Sequence, residues 1–230
     1  MLRDPKKIVE DLSEKGAAVD GIQQTSERRL FMQFLAFDGC RDSAILIKSL
    51  EGSGFGAVLY ADINDRYGIG LLTWSEDPDF FVGDFRSFLK EGPFADLTRK
   101  DEYSMLGRTY SLGHERSLDD WLIDRSPRTV CNPEWPWAVW YPLKRSGRFA
   151  LLEPKEQGAI LMEHGVIGRA FGEADLGHDI RLATHGLDKN DNDFIIGLIG
   201  KDLFPLSALV QTMRGTKQTS SYIDSMGPFF

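Results

Sequence analysis

His164 lies in the stretch Met162-Glu163-His164-Gly165-Val166-Ile167-Gly168-Arg169, an imidazole beside two glycines in a segment that reads as a helix. Glu153-Pro154 opens it, with proline suited to a first helical turn, and Ile160, His164, Ile167 and Phe171 recur at helical spacing. That spacing puts His164 on the apolar face. A neutral imidazole there can coordinate the iron of a haem, and the missing side chains of Gly165 and Gly168 would let a flat porphyrin approach the backbone. The competing reading is a core histidine bonded to a carbonyl, and spacing alone does not choose between the two.

Other candidates carry less chemistry. Asp188, Asp191 and Asp193 with Asn190 and Asn192 look like an oxygen-rich calcium loop, but the glycine and the later bidentate glutamate are absent, so a solvated turn is expected. His114 and His185 have no partner at zinc-ligand spacing. Gly52-Ser53-Gly54-Phe55-Gly56 lacks a following Gly-Lys-Ser/Thr and reads as a turn. Trp135, Trp137 and Trp140 could line a cofactor edge, although clustered aromatics more often pack a core or a subunit interface.

Composition bounds the function classes. The 230 residues, 42% hydrophobic, are enough for one sizeable core or two small ones. With 27 Lys+Arg against 35 Asp+Glu, a formal net charge of -8, the chain is a poor partner for nucleic acid. Cys40 and Cys131 are the only cysteines, too few for a metal cluster and unconvincing as a secreted disulfide framework. The start Met1-Leu2-Arg3-Asp4-Pro5-Lys6-Lys7 has no apolar run, so neither a signal peptide nor a membrane span is expected and the expected location is the cytoplasm.

The elements that must position His164 follow from periodicity. A helix is expected around Ile8 to Ala18, and then a strand over Arg29 to Phe37, ended by Asp38-Gly39. Next come a helix ending near Gly52, strands Ala57 to Ile63 and Gly68 to Trp74, a helix from Glu76-Asp77-Pro78 to Leu89, and a strand Tyr103 to Leu112. Ser117 to Pro136, with three prolines and two tryptophans, reads as a helical turn plus a connecting loop. The order then repeats: strand Ala138 to Tyr141, helix Pro154 to Arg169, strands Ile180 to His185 and Phe194 to Ile199, helix Pro205 to Arg214, and a last strand within Ser221 to Phe229. Two ferredoxin-like repeats, α+β in class, can close face to face into a dimeric α+β barrel within one chain. The expected units are 1–116, a connecting segment 117–136, and 137–230.

This order, joined to Tyr141-Pro142-Leu143-Lys144-Arg145, Glu163-His164-Gly165-Val166-Ile167-Gly168-Arg169 and Gly186-Leu187-Asp188, resembles the chlorite dismutase family, which includes the coproheme decarboxylases. The resemblance covers most of the chain and is most specific from Trp137 to Phe230. It implies a barrel, often pentameric, that binds haem b as cofactor or coproheme as substrate. His164 matches the family's proximal histidine.

The resemblance transfers the remaining positions unevenly. Chlorite-decomposing members carry a distal arginine where counting back from Gly186 places Asp179; Arg181 lies two residues on and would share its face by strand alternation, whereas His178 would face the other way. Tyr141 matches the tyrosine implicated as a radical in coproheme decarboxylases, where chlorite dismutases usually have an aliphatic residue. A phenol next to an oxidised haem can give up an electron and a proton together. The bland alternative is a strand tyrosine with a buried ring. Arg145 matches a lysine that contacts propionate, and Lys144 stands beside it; a solvated charge pair is the alternative. The tryptophan pair of chlorite dismutases is replaced by Ser146-Gly147-Arg148-Phe149-Ala150-Leu151. Ile199 stands where they place a carboxylate against the proximal imidazole.

These readings together predict a haem-dependent oxidoreductase with peroxidase-like chemistry. His164 would be the iron ligand; Tyr141, Lys144, Arg145, Ile167 and Gly168 would contact the porphyrin; Tyr141, Arg145, Asp179 and Arg181 would serve catalysis. A small oxidant, peroxide or an oxyanion, and further copies of the chain are the expected partners. Coproheme decarboxylation and non-catalytic haem binding as carrier or sensor are the alternatives, and chlorite dismutation ranks below them.

Overall fold

A computed structural model describes residues 11–230. The first described elements are strands β1 (Glu14–Val19) and β2 (Ile22–Ser26), an antiparallel hairpin. Asp20 and Gly21 turn it with φ of 51° and 79°, the positive-φ pair that a tight hairpin needs. The helix expected from Ile8 to Ala18 is corrected from Glu14 onward: the Asp-Gly turn returns the chain on itself and overrides the helix-like composition. Residues 8–10 lie outside the described residues. The hairpin is held by Ala17 N donating to Glu115 O at 2.9 Å and by Gln24 Nε2 donating to Ala17 O at 2.9 Å.

The first half runs β3 (Phe31–Asp38), α1 (Ser43–Ser53), β4 (Gly56–Ala61), β5 (Ile69–Ser75), α2 (Asp79–Val82), α3 (Asp84–Glu91) and β6 (Thr98–Arg108). A π-helical turn at Asp120–Asp124 runs into α4 (Arg125–Val130). The second half runs β7 (Trp137–Arg145), α5 (Gly147–Ala150), α6 (Pro154–Glu173), β8 (His178–Ala183), β9 (Phe194–Gly200), α7 (Leu203–Arg214), α8 (Lys217–Tyr222) and β10 (Ile223–Met226). Several expected bounds shift. The helix expected from Glu76 to Leu89 breaks at Gly83, whose ψ of -104° leaves the helical region. The strand expected at Tyr103 to Leu112 begins five residues earlier, at Thr98, and ends at Arg108. The last strand shrinks to four residues because α8, capped by Thr216, takes its first part.

One eight-stranded sheet orders these strands β10-β7-β9-β8-β6-β3-β5-β4. Within each half the order is fourth, first, third, second, the ferredoxin-like arrangement twice, and the halves join where Arg108 of β6 pairs Ala183 of β8. Strand alternation gives each half-sheet two apolar faces. The inner faces share a core in which Met32, Phe34 and Leu72 meet Trp140, Ile180, Leu182 and Ile195, all nearly sealed from solvent. Each such side chain contributes roughly 1.5–3 kcal/mol by burial. Trp140 lies flat on β9 because residue 197 is glycine; a Cβ there would come within 2.5 Å of its ring. The outer face of the first half packs Leu35, Phe37 and Leu71 against Leu46, Leu50 and Phe85 of α1 and α3. The outer face of the second half packs Tyr141, Leu143 and Leu198 against Leu206 and Leu209 of α7, with Ile167 and Phe171 of α6 alongside. The fold is thus a dimeric α+β barrel in one chain. Beyond β10, Phe230 exchanges two backbone hydrogen bonds with Trp140, each 2.9 Å, and its ring stacks edge-on to Phe34 at 4.9 Å.

Candidate functional site

Strand pairing lays three rows of side chains across the outer face of the second half-sheet. Leu143, Phe194 and Ala183 form one, Tyr141, Ile196 and Arg181 the next, and Val139, Leu198 and Asp179 the third. α6 lies over these rows, and of its twenty residues only Ile160 is buried. Its inner side carries Ile160, His164, Ile167 and Phe171, the periodicity that the sequence showed.

His164 is half-buried, and its Nδ1 stands 3.4 Å from Thr216 Oγ1. That hydroxyl donates to Met213 O at 2.8 Å and caps α8 by accepting from Thr219 N at 3.4 Å. With its one proton committed, it meets the imidazole as an acceptor, so Nδ1 carries the hydrogen and Nε2 keeps a lone pair. Among the described residues Nε2 has no hydrogen-bond partner. Burial pushes the His164 pKa below its usual value, and the positive charges of Arg181 and Arg145 push the same way against Asp179 and Glu163. The imidazole is therefore neutral near pH 7.

The charges that act on His164 come from β8, the end of β7 and its own helix. Asp179 is held between Arg125, 3.1 Å away, and the Nε of Arg181, 2.8 Å away. Burial pushes its carboxyl upward, but the two arginines outweigh burial and hold it below the usual carboxylate range. Arg181 Nε, badly angled toward Asp179, makes no directed hydrogen bond and is buried. Arg145 Nε is likewise buried without a partner, its guanidinium between the rings of Phe149 and Phe194, each 4.7 Å away. Arg145 thus keeps an N–H donor for a ligand's carboxylate, while the Arg181 charge is shared with Asp179. Tyr141 is buried and stacks on Phe229 at 4.6 Å. Burial, followed by the Asp179 charge, raises its phenol pKa, so the ring stays protonated.

The remaining sequence candidates fall elsewhere. Lys144 points to the opposite face of β7 from Arg145 and pairs with Asp191. His178 stacks on Trp135 at 3.7 Å on the barrel-core face and pairs with Asp175 at 2.9 Å. Gly165 faces open space, and a Cβ on Gly168 would stand 3.6 Å from Met213 Cε, which places that glycine at a helix–helix contact. Ile199, expected behind the imidazole, is 1% exposed in the barrel core; Thr216 stands at Nδ1 in its place. Thr216, Arg125 and Tyr110, a half-buried tyrosine whose phenol pKa is raised by desolvation against the pull of Arg181 and Arg145, carried no sequence signal. The Asp188–Asp193 segment is a turn closed by Asp188, which accepts from Asn190 N at 2.7 Å and Asn192 Nδ2 at 2.6 Å. Among the described residues no group of three or more His, Cys, Asp or Glu could hold a metal ion, and no helix is long and apolar enough to cross a membrane.

The donor set fits an iron porphyrin: one lone-pair imidazole for the metal, and for carboxylates the orphaned Nε–H of Arg145 with the Arg181 guanidinium beside it. Two cavities, of about 510 and 570 Å³, are lined by none of these side chains.

Comparison with known proteins gives a consistent picture. The family model described as chlorite dismutase matches residues 97–230. A candidate chlorite dismutase, TA0507, aligns at a TM-score of 0.69 with 12% identity, over 88% of this chain and 92% of that one. A heme-binding protein from Thermus thermophilus aligns at 0.67 with 19% identity, over 90% and 91%. A doubly substituted mutant of the chlorite dismutase from Candidatus Nitrospira defluvii aligns at 0.64 with 16% identity, over 89% and 91%. No curated protein matches the sequence.

Proposed function

Because the chain belongs to the chlorite dismutase family, we propose that it is a haem-dependent oxidoreductase with peroxidase-like chemistry, using haem b and hydrogen peroxide. The observation that carries the reading is His164: a neutral imidazole on the inner side of α6, with Nδ1 occupied by Thr216 and Nε2 unpartnered among the described residues. Bound haem supplies the one- and two-electron chemistry that no side chain here offers. His164 Nε2 would hold the iron. Arg145, through its unpartnered Nε–H, and Arg181, beside Asp179, would bind the porphyrin carboxylates or an incoming oxidant. Asp179, ionised between its two arginines, accepts a proton from peroxide on one carboxylate oxygen and returns it to the departing oxygen. Assembly into homo-oligomers, with the pentamer as the form, belongs to the same proposal.

Tyr141 favours a second reading, coproheme decarboxylation, because its phenol is kept protonated in the same layer of side chains as Arg181 and can yield a hydrogen atom to chemistry at a propionate. Haem titration tests the first reading: the protein develops a Soret band that His164→Ala abolishes, and equal binding by the variant removes the assignment. Conversion of coproheme to haem b by peroxide, lost in Tyr141→Phe, decides for the second.

A further inference from the structure

A cavity of about 570 Å³ opens beside α7, lined by Val139, Ser207, Val210, Gln211, Arg214 and Phe229. Ser207, Val210, Gln211 and Arg214 fall three, four and seven residues apart, on one face of the helix, while Leu206 and Leu209 fill the core on another. Phe229 and Val139 supply an apolar floor. The guanidinium of Arg214 lies 5.8 Å from the Phe229 ring centroid and makes no ion pair among the described residues. Exposed and without a carboxylate partner among the described residues, Arg214 keeps its N–H donors available at the rim of this apolar floor.

The cavity also has a defined position relative to the candidate site. Phe229 stacks on Tyr141, and the phenol of Tyr141 responds to two charges, Asp179 first and Arg214 after it. Tyr141, in the middle row under α6, therefore touches the cavity beside α7 through Phe229. Neither the family resemblance nor the residues around His164 account for this second recess.

We propose that this cavity binds a small planar organic anion, an aromatic carboxylate with a phenol, and that this molecule is the electron donor of the reaction. The ring packs on Phe229 and Val210, the carboxylate meets Arg214, and Gln211 and Ser207 supply hydrogen bonds; the recess has room for a ligand of that size. The donor role rests on the peroxidase reading above. In the full reaction two donor molecules each give up one electron and one proton, and hydrogen peroxide takes both pairs and leaves as two molecules of water.

The probe is 4-hydroxybenzoate, titrated calorimetrically into the full chain without haem, which makes the readout independent of turnover. Saturable binding is expected, weakened about tenfold or more by Arg214→Gln and by Gln211→Glu, which places a repelling charge at the rim without removing packing. Phenol, lacking the carboxylate, is expected to bind more weakly than the probe. His164→Ala should bind the probe as the parent protein does. With haem, Arg214→Gln should raise the KM for the probe and leave the KM for peroxide unchanged. No saturation up to about 10 mM, or equal affinity in both cavity variants, overturns the site. Probe binding that survives while haem fails to bind refutes the peroxidase reading and leaves the anion site standing.

Discussion

Thr216 Oγ1 stands 3.4 Å from His164 Nδ1 across a sequence separation of 52 residues, and its own proton goes to the Met213 carbonyl. The hydroxyl can therefore only accept from the imidazole, and it does so as a neutral group. A carboxylate in its place would draw the Nδ1 proton and make the ring a stronger donor; a threonine orients the ring without that push.

Removing the hydroxyl should therefore weaken haem binding. Thr216→Val is expected to lower haem affinity about tenfold, and Thr216→Ser to retain it. Valine also deletes the cap of α8 at a cost of about 1 kcal/mol, so the Tm is followed in parallel. A Soret titration that gives one affinity for all three proteins would dismiss the orienting role.

His164 also leaves a mark on stability against pH. Its folded-state pKa lies below the unfolded value of 6.5, so between those two values the unfolded chain binds the proton more tightly. The contribution is complete above about pH 6.5 and is lost as pH falls through the window beneath it. The urea midpoint should drop between pH 7 and 5 by more in the parent protein than in His164→Gln; parallel curves would mean that the ring is not held neutral.

Asp179→Asn keeps the shape of the carboxylate and removes its charge, leaving Arg125 and Arg181 facing each other. The Asp179 side chain is 34% exposed, so solvent screening limits the cost to about 1 kcal/mol, well below that of a sealed pair. Peroxide consumption by the haem-loaded protein should fall about 10²–10⁴-fold. Unchanged consumption would assign the proton transfer to another group.

Two glycines separate packing from accident. Gly197→Ala puts a methyl 2.5 Å from the Trp140 ring in the barrel core and should cost about 1–3 kcal/mol, read as a lower denaturation midpoint. Gly165→Ala meets nothing within 4 Å on a helix and should gain about 1 kcal/mol. The reverse ranking would contradict the placement of the half-sheets and of α6.

Much of this was legible in the sequence. Alternation along β8 put Asp179 and Arg181 on one face and His178 on the other, because side-chain direction in a strand depends on local parity alone. The same parity separates Lys144 from Arg145. The β1–β2 hairpin was missed because two residues, Asp20 and Gly21, outweighed the run of helix-compatible residues before them. Thr216 was out of reach for a different reason. Its hydroxyl meets His164 only through the packing of α6 against the start of α8, a contact that depends on tertiary geometry, and the position suggested by alignment, Ile199, faces the barrel core.

The helix that would carry the iron ligand has one sealed residue in twenty, while the strands beneath it run nearly continuous apolar contacts. On slow warming, such a molecule would bleach before it melts: the coloured form would fade as that outer cylinder lifts, and the calorimetric peak of the sheet would follow at a higher temperature.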